Sequence, residues 1–281
     1  ALKSLKYGGE LIYILDISFL ETAYIDIRKY LVENYSINLL VYGLSEFDNV
    51  ASGQLILKVI NKKEQNNSVE LINYETNKRL FIEQANWNNS DNKYKYYIPL
   101  NDKQQKIIDK IKLFETLEHY YPNKALRTCC ALTGKTDEFI VDPTNSSKHL
   151  VFPYIEGSKG LKSKFAEPTV NRYIKYDYDL QIKLSDIFKE ELSKIGVKNK
   201  KRVTLGDKNS YLSPKVFIRQ SANEIIATYC ESPYAANNSI YILTNKKNDD
   251  KNKKFLKYIC GILNSDLITF YCRITNIIRT A

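Results

Sequence analysis

Three groups of residues in this 281-residue chain carry side chains suited to chemistry on a polyanion. Lys159, Lys162 and Lys164 surround Gly157 and Gly160, and Lys194, Lys198, Lys200, Lys201, Arg202 and Lys208 form a second run with only Asp207 opposing it. Ammonium groups on such loops suit phosphate contacts, which fix position on a duplex without reading sequence and make binding steeply salt-dependent. Each lysine taken singly is as well explained as a solvated loop residue. Arg219 and Gln220 differ in kind. They end the apolar run Val216-Phe217-Ile218, so a strand would hold them, and Arg pairs bidentately with guanine and Gln with adenine in the major groove. They are the candidate base readers.

Other chemistries fail on spacing. Gly134-Lys135-Thr136 lacks the earlier glycine of a phosphate loop, whose place is taken by Cys129. Cys129, Cys130, Cys230, Cys260 and Cys272 contain no C-x-x-C pair, and His119 and His149 are the only histidines, so no structural zinc site is expected. The thiols read as reduced and packed. His149 reads as an ordinary packed or surface residue. The sequons at Asn66, Asn88, Asn145 and Asn237 mark surface loops, with no secretion signal visible. No Ser/His/Asp set, no convergent carboxylate pair and no magnesium site is defensible from spacing.

The elements that must position the basic residues follow from apolar patterning. Gly8-Gly9-Glu10 leads into Leu11-Ile12-Tyr13-Ile14-Leu15, a continuous run of the kind buried on both faces of a parallel sheet. A helix should follow, capped by Ser18 with Glu21 completing a capping box, and with Ala23, Ile27, Tyr30 and Leu31 at helical spacing. Ile37 to Tyr42 and Gln54 to Ile60 read as two strands around a polar loop, the close of an α/β sheet whose earlier strands are missing. Residues 61–70 and 86–92 are polar connections, and Asp102 to Glu118 is an amphipathic helix bridging two parts. Beyond it, Glu138–Val141, Tyr173–Tyr178, Val216–Gln220, Ile225–Tyr229 and Ser239–Leu243 predict a sheet-rich domain. Lys254 to Arg273 predicts a helix broken near Asn264-Ser265.

Composition supports two folded parts. With 43% hydrophobic and 26% charged residues the chain can bury a core, and no apolar run reaches a membrane span, which points to a cytoplasmic protein. The absence of Met, the initiator included, points to a fragment of a longer chain, or to a sequence in which apparent neighbours hide gaps. The net charge of +10 is unevenly placed: residues 1–60 carry −2, 61–115 carry +2, and 116–281 carry the whole excess. The later part is therefore the expected polyanion binder.

Several segments, in order, resemble the C-terminal part of the Taq-type adenine-N6 DNA methyltransferases, including fused restriction-modification enzymes. KYGGELIYIL, FLETAYIDIRKYLVENYSI and SEFDNVASGQLIL resemble the last strand, helix and hairpin of the methyltransferase domain. TCCALTGKTDEFIV resembles the start of the target recognition domain. LVFPYIEGSKGLKSKF with NRYIKYDYD, then SPKVFIRQSANEIIATYCESPYAANNSIYIL, then YICGILNSDLITFYCR resemble its later segments. The resemblance implies that Phe47, followed by Ser52, stacks on a flipped target base. By spacing alone Phe47 is better read as an anchor of the hairpin.

The resemblance implies an α/β fold: the strand-helix-hairpin end of a Rossmann-like methyltransferase sheet (1–60), an excursion and bridging helix (61–118), then a mixed α+β target recognition domain (119–281). The implied partners are double-stranded DNA and the missing N-terminal catalytic portion. S-adenosylmethionine is implied for the parent enzyme and no cofactor for the fragment, which lacks the donor-binding strand-loop and an Asn-Pro-Pro-Tyr-like tetrapeptide. The competing reading is a non-enzymatic nucleic-acid-binding or assembly module, and a nuclease in the parent stays open.

Overall fold

Apolar β-branched runs set the strands of the first unit, and the hydrogen-bonded order of those strands departs from their order in the chain. The computed structural model describes residues 2–20, 22–44, 46, 53–90, 93–98, 100–123, 125–144, 149–197, 203–220 and 222–274. They fall into two units, 1–111 and 112–278, of mixed α/β structure with three sheets. No helix among these residues is long and apolar enough to cross a membrane.

In the first unit, β1 (Glu10–Asp16), α1 (Ile25–Asn34), β2 (Ser36–Leu44), β3 (Gln54–Ile60), β4 (Ser68–Asn73) and β5 (Lys78–Glu83) form a sheet in the order β1-β3-β2-β4-β5. β3 runs antiparallel to both β1 and β2, and β2 runs parallel to β4. Leu40, Leu55, Val69, Leu71 and Trp87 are buried with Val32 of α1. Arg28 of α1 is wholly buried, and its guanidinium donates to the carbonyls of Phe19 (2.6 Å), Tyr94 (2.9 Å) and Lys93 (3.2 Å). Trp87 stacks on Tyr96, whose hydroxyl donates back to the Arg28 carbonyl. The polar excursion after β5 is thereby held to α1 by satisfied hydrogen bonds.

Four sequence expectations are corrected here. Among the described residues β1 is an edge strand paired with β3 alone, and its continuous apolar run is exposed at Ile12, Tyr13 and Ile14 instead of buried on both faces. The helix expected to be capped by Ser18 begins only at Ile25: two short 3-10 turns precede α1, the Ser18 N–H donates to Asp16, and Glu21 lies outside the described residues. Val69 and Leu71 carry the sheet into 68–83, within the segment read as an excursion. α2 (Asp102–Lys112) stops before Phe114, which is 78% exposed, and α3 (Leu117–Tyr120) is separate.

The second unit has two sheets. β6 (Leu126–Thr128), β9 (Lys215–Arg219), β10 (Ala227–Cys230) and β12 (Ile240–Leu243) pair antiparallel in the order β10-β9-β12-β6. β7 (Val151–Ile155) and β8 (Arg172–Lys175) pair antiparallel, with the short β11 (Ala235–Ala236) parallel to β7. The helices are α4 (Gly157–Gly160), α5 (Tyr178–Lys194), α6 (Lys208–Leu212), α7 (Asp250–Leu263) and α8 (Asp266–Ile274). α7 and α8 break at Asn264, as read from the sequence. Its amide accepts from and donates to the backbone of Ala227, docking the helix end on β10. Glu138–Val141 is mostly a 3-10 turn, with one bridge from Ile140 to Ile174. α5, capped by Asp177, stands where no helix was expected.

β9 has a core on each face. Val216 and Ile218 pack with Leu256 and Ile259 of α7, while Phe217 packs with Phe152, Tyr154 and Tyr211. Side chains two apart share a face, so Lys215 and Arg219 lie on the side of Phe217. Lys215 is wholly buried and donates to the carbonyls of Tyr211, Ser213 and Ser232 at 2.7–2.9 Å. Burial pushes its pKa down to about 8 from 10.5. Between those limits the unfolded chain binds more protons than the folded one, so the lysine's contribution to stability improves as pH rises. Against Lys215→Met, the wild type should gain up to about 3 kcal/mol between pH 8 and pH 10.5 in urea unfolding. A difference that is flat with pH would show an unshifted amine.

Candidate nucleic-acid interface

Strand ends build an open cleft in the second unit. Because β7 and β11 are parallel, the turns after both emerge at the same end: Glu156 to Lys159 after β7, Asn237 to Ser239 after β11. Arg172 enters β8 opposite Tyr154, and Arg219 leaves β9 opposite Ile240. The result is a cleft of about 650 Å³ whose lining includes Glu156, Lys159, Arg172, Arg219, Asn237 and Ser239.

Side-chain amides hold this end where the ladders stop. Asn237 Oδ1 accepts from the backbone N–H groups of Gly157 (3.1 Å) and Ser239 (3.2 Å), and the Asn237 N–H donates to the Ile155 carbonyl. Asn171 Oδ1 accepts from the Glu156 N–H at 2.8 Å. These bonds satisfy loop backbone groups that would otherwise be lost from the ladder. At Gly160 there is no room for a side chain, since a Cβ would lie 2.8 Å from Ile155 Cβ and 3.1 Å from the Ile155 carbonyl carbon.

The cleft is positive. Glu156 is bound end to end by Arg172, with Nε to Oε2 at 3.1 Å and Nη2 to Oε1 at 2.6 Å. Arg172 also reaches Asp137 at 2.8 Å, and these carboxylates raise its pKa. Arg172 and Glu156 are thus committed to each other, in the bidentate geometry that guanidinium favours. The exposed ammonium of Lys159 and the guanidinium of the partly exposed Arg219 add positive charge to the lining.

The residues singled out from the sequence are dispersed. Arg219 and Lys159 meet in the cleft. Gln220 lies on the opposite face of β9, where its amide donates to the Tyr241 hydroxyl at 3.0 Å, so it does not read beside Arg219. Lys162 is exposed, whereas Lys164 is paired with Glu224 (2.7 Å) and Asp266 (3.8 Å). Lys194 and Lys208 are exposed at the end of α5 and the start of α6. Asp207 is engaged by Arg127 at 3.2 Å and by Lys246, two cations that were not singled out. Phe47, Ser52, Lys198, Lys200, Lys201 and Arg202 lie outside the described residues.

Glu156, Arg172 and Asn237 were also missed, and only Asn237 had left a trace, as a sequon. No three His, Cys, Asp or Glu among the described residues come together to hold a metal ion. All five thiols are free and buried, and burial pushes Cys130 up to about 12, so none is poised as a thiolate.

The tight approach at the floor of the cleft has a measurable cost. Gly160→Ala should destabilise the chain by roughly 1–3 kcal/mol through overpacking against Ile155. Denaturant unfolding that left the midpoint unchanged would show that the loop after β7 yields easily.

With this geometry in place, comparison with known proteins gives the following. Residues 169–280 match the family model described as the TaqI-like C-terminal specificity domain. No curated protein sequence matches the chain. Similar solved structures include the type IIL restriction-modification enzyme MmeI in complex with DNA, at 9% identity and TM-score 0.48, over 91% of this chain and 35% of that one. They also include the type IIG restriction endonuclease BpuSI, at 10% identity and TM-score 0.32, over 92% of this chain and 37% of that one. The chain therefore spans little more than a third of the length of either. The resemblance to the C-terminal part of the Taq-type enzymes read from the sequence is borne out over residues 169–280, which are similar to a TaqI-like C-terminal specificity domain.

Proposed function

We propose that this chain is the DNA-sequence-recognising portion of a site-specific adenine-N6 DNA methyltransferase or fused restriction-modification enzyme. The observation that carries the reading is the positive cleft where the ends of β7, β9 and β11 meet, because Arg172, Arg219, Asn237 and Ser239 fall inside the segment matched to a specificity domain. Lys159 and other exposed lysines hold phosphates and set position, while Arg219, fixed by its strand, meets a base edge.

The first unit supports the second half of the reading. β1, α1 and the antiparallel pair β2 and β3 follow the strand, helix and hairpin order of the resemblance. Among the described residues β1 is bonded on one edge only, and Ile12, Tyr13 and Ile14 are exposed, which suits pairing with further strands of a Rossmann-like catalytic sheet. In that assembly Phe47 stacks on the flipped adenine and offsets part of the cost of flipping.

S-adenosylmethionine would supply the methyl group in the parent enzyme. The residues of this chain do not fit it: the donor-binding strand-loop and the Asn-Pro-Pro-Tyr-like tetrapeptide are absent from the sequence. The cleft and the smaller groove beside α5 both lie in the second unit, and neither is an apolar slot for an adenosyl group. No methyl-transfer step is derived for this chain. Incubation with labelled S-adenosylmethionine and duplex DNA should leave the DNA unlabelled, and label in adenine would overturn this part of the reading.

Titration with duplex DNA at rising salt tests the function itself. Affinity should fall steeply, because neutralising phosphates releases counterions. Lys159→Ala should lower the slope of log affinity against log salt by about one unit. Lys164→Ala should leave it unchanged, since Glu224 and Asp266 already neutralise that ammonium. An affinity indifferent to salt would remove the reading.

A further inference from the structure

We infer that Asn237 is a second specificity-determining residue beside Arg219, and that together they read guanine. The inference rests on the reading of the chain as a DNA-recognition module and adds the base that its cleft selects.

The side-chain amide of Asn237 can face only one way. Its Oδ1 accepts two backbone N–H groups, from Gly157 at 3.1 Å and Ser239 at 3.2 Å. A flipped amide would set its NH2 group against both donors. Asparagine usually reads adenine with its oxygen and its nitrogen together, but here the oxygen is used up inside the protein. What remains for a ligand is the Nδ2 group, which lines the cleft and makes no hydrogen bond among the described residues.

The charged side chains of the cleft have the same polarity, while the Ser158 and Ser239 hydroxyls can turn to either role. Glu156, the cleft's one carboxylate, has both oxygens on Arg172. Arg219 offers a guanidinium and Lys159 an ammonium, neither of which accepts hydrogen bonds. Donor groups on two residues that line one cleft match an edge with two acceptors. In the major groove guanine presents N7 and O6, both acceptors, whereas adenine and cytosine each present an amino group and thymine a methyl beside its O4. An amino group placed here would meet N–H groups and lose its partner, so the discrimination is set by unpaired polar groups.

The experiment is selection from a duplex library with a randomised core, using the full 281-residue chain. The wild type should enrich sites with guanine at one position, and Arg219→Ala should relax that position. Asn237→Asp keeps an oxygen for the Gly157 and Ser239 N–H groups but turns the outward amide into an acceptor. It should lose preference for guanine at the same position by about tenfold or more, with other positions unchanged. A test on the DNA needs no variant protein. Replacing the selected guanine by 7-deazaguanine, which removes N7, should weaken wild-type binding about tenfold, whereas inosine, altered only in the minor groove, should bind as well as guanine.

If Asn237→Asp folds and selects the same sites with the same discrimination, or if 7-deazaguanine binds unchanged, the inference is wrong and Asn237 only braces the loops. If the wild type enriches no sequence at all, the recognition reading itself fails and takes this inference with it.

Discussion

One side-chain oxygen, Asn237 Oδ1, holds together two turns that lie eighty residues apart in the chain. It does so where the parallel pair β7 and β11 runs out, a point at which backbone N–H groups lose their ladder partners and must find others. Asn171 plays the same part for Glu156, and the Thr169 N–H closes on the Gly160 carbonyl. Without these bonds the turns after β7 and β11 would each carry unsatisfied donors, at a cost of about 1–3 kcal/mol per buried group. The cleft exists because amides substitute for a missing strand.

The second constraint is the alternation of β9. A strand with a core on each face leaves no freedom about which side a polar residue takes. Val216 and Ile218 fix one side against α7, Phe217 fixes the other, and Arg219 follows Phe217 toward the cleft. The same alternation puts Lys215 inside the protein, where three carbonyls replace water. A shift of one residue in the register would turn Arg219 toward α7 and force Phe217 into the space shaped for Val216 and Ile218. The strand that carries Arg219 is thus held in register by the two hydrophobic clusters it separates.

This explains what could be read from the sequence and what could not. The runs that became β9, β10 and β12 were legible because β-branched and aromatic residues sit between turn residues, and the break at Asn264-Ser265 was legible because it interrupts a helical apolar pattern. β1 was misread because a continuous apolar run does not say whether a second strand will cover it. α5 was missed although Asp177 caps it, since Tyr173–Tyr178 ran straight into it as a strand signal. In the site, Arg219 and Lys159 were legible from charge beside a strand or a glycine turn. Gln220 was misplaced because adjacent strand residues face apart, and Glu156, Arg172 and Asn237 were invisible because their roles come from contacts 16 to 80 residues away.

Net charge overstates what is available to phosphate. Of the basic excess after residue 115, Lys164 is committed to Glu224 and Asp266, Arg127 and Lys246 to Asp207, Arg172 to Glu156 and Asp137, and Lys253 to Glu231. A cation already neutralised by a carboxylate displaces few counterions when DNA arrives, so it adds little to the salt dependence while still shaping the surface. Paired cations such as Arg172 therefore act as braces, and Lys159, Lys162 and Lys208, exposed and without an ion pair among the described residues, are the phosphate anchors of the proposed function. Specificity then falls to groups whose direction is fixed by hydrogen bonds or by a strand, because only a donor that cannot turn away penalises the wrong base. In this cleft the amide of Asn237 is locked by its two hydrogen bonds, and the backbone of Arg219 is held by β9, which is why the proposed reading rests on these two residues.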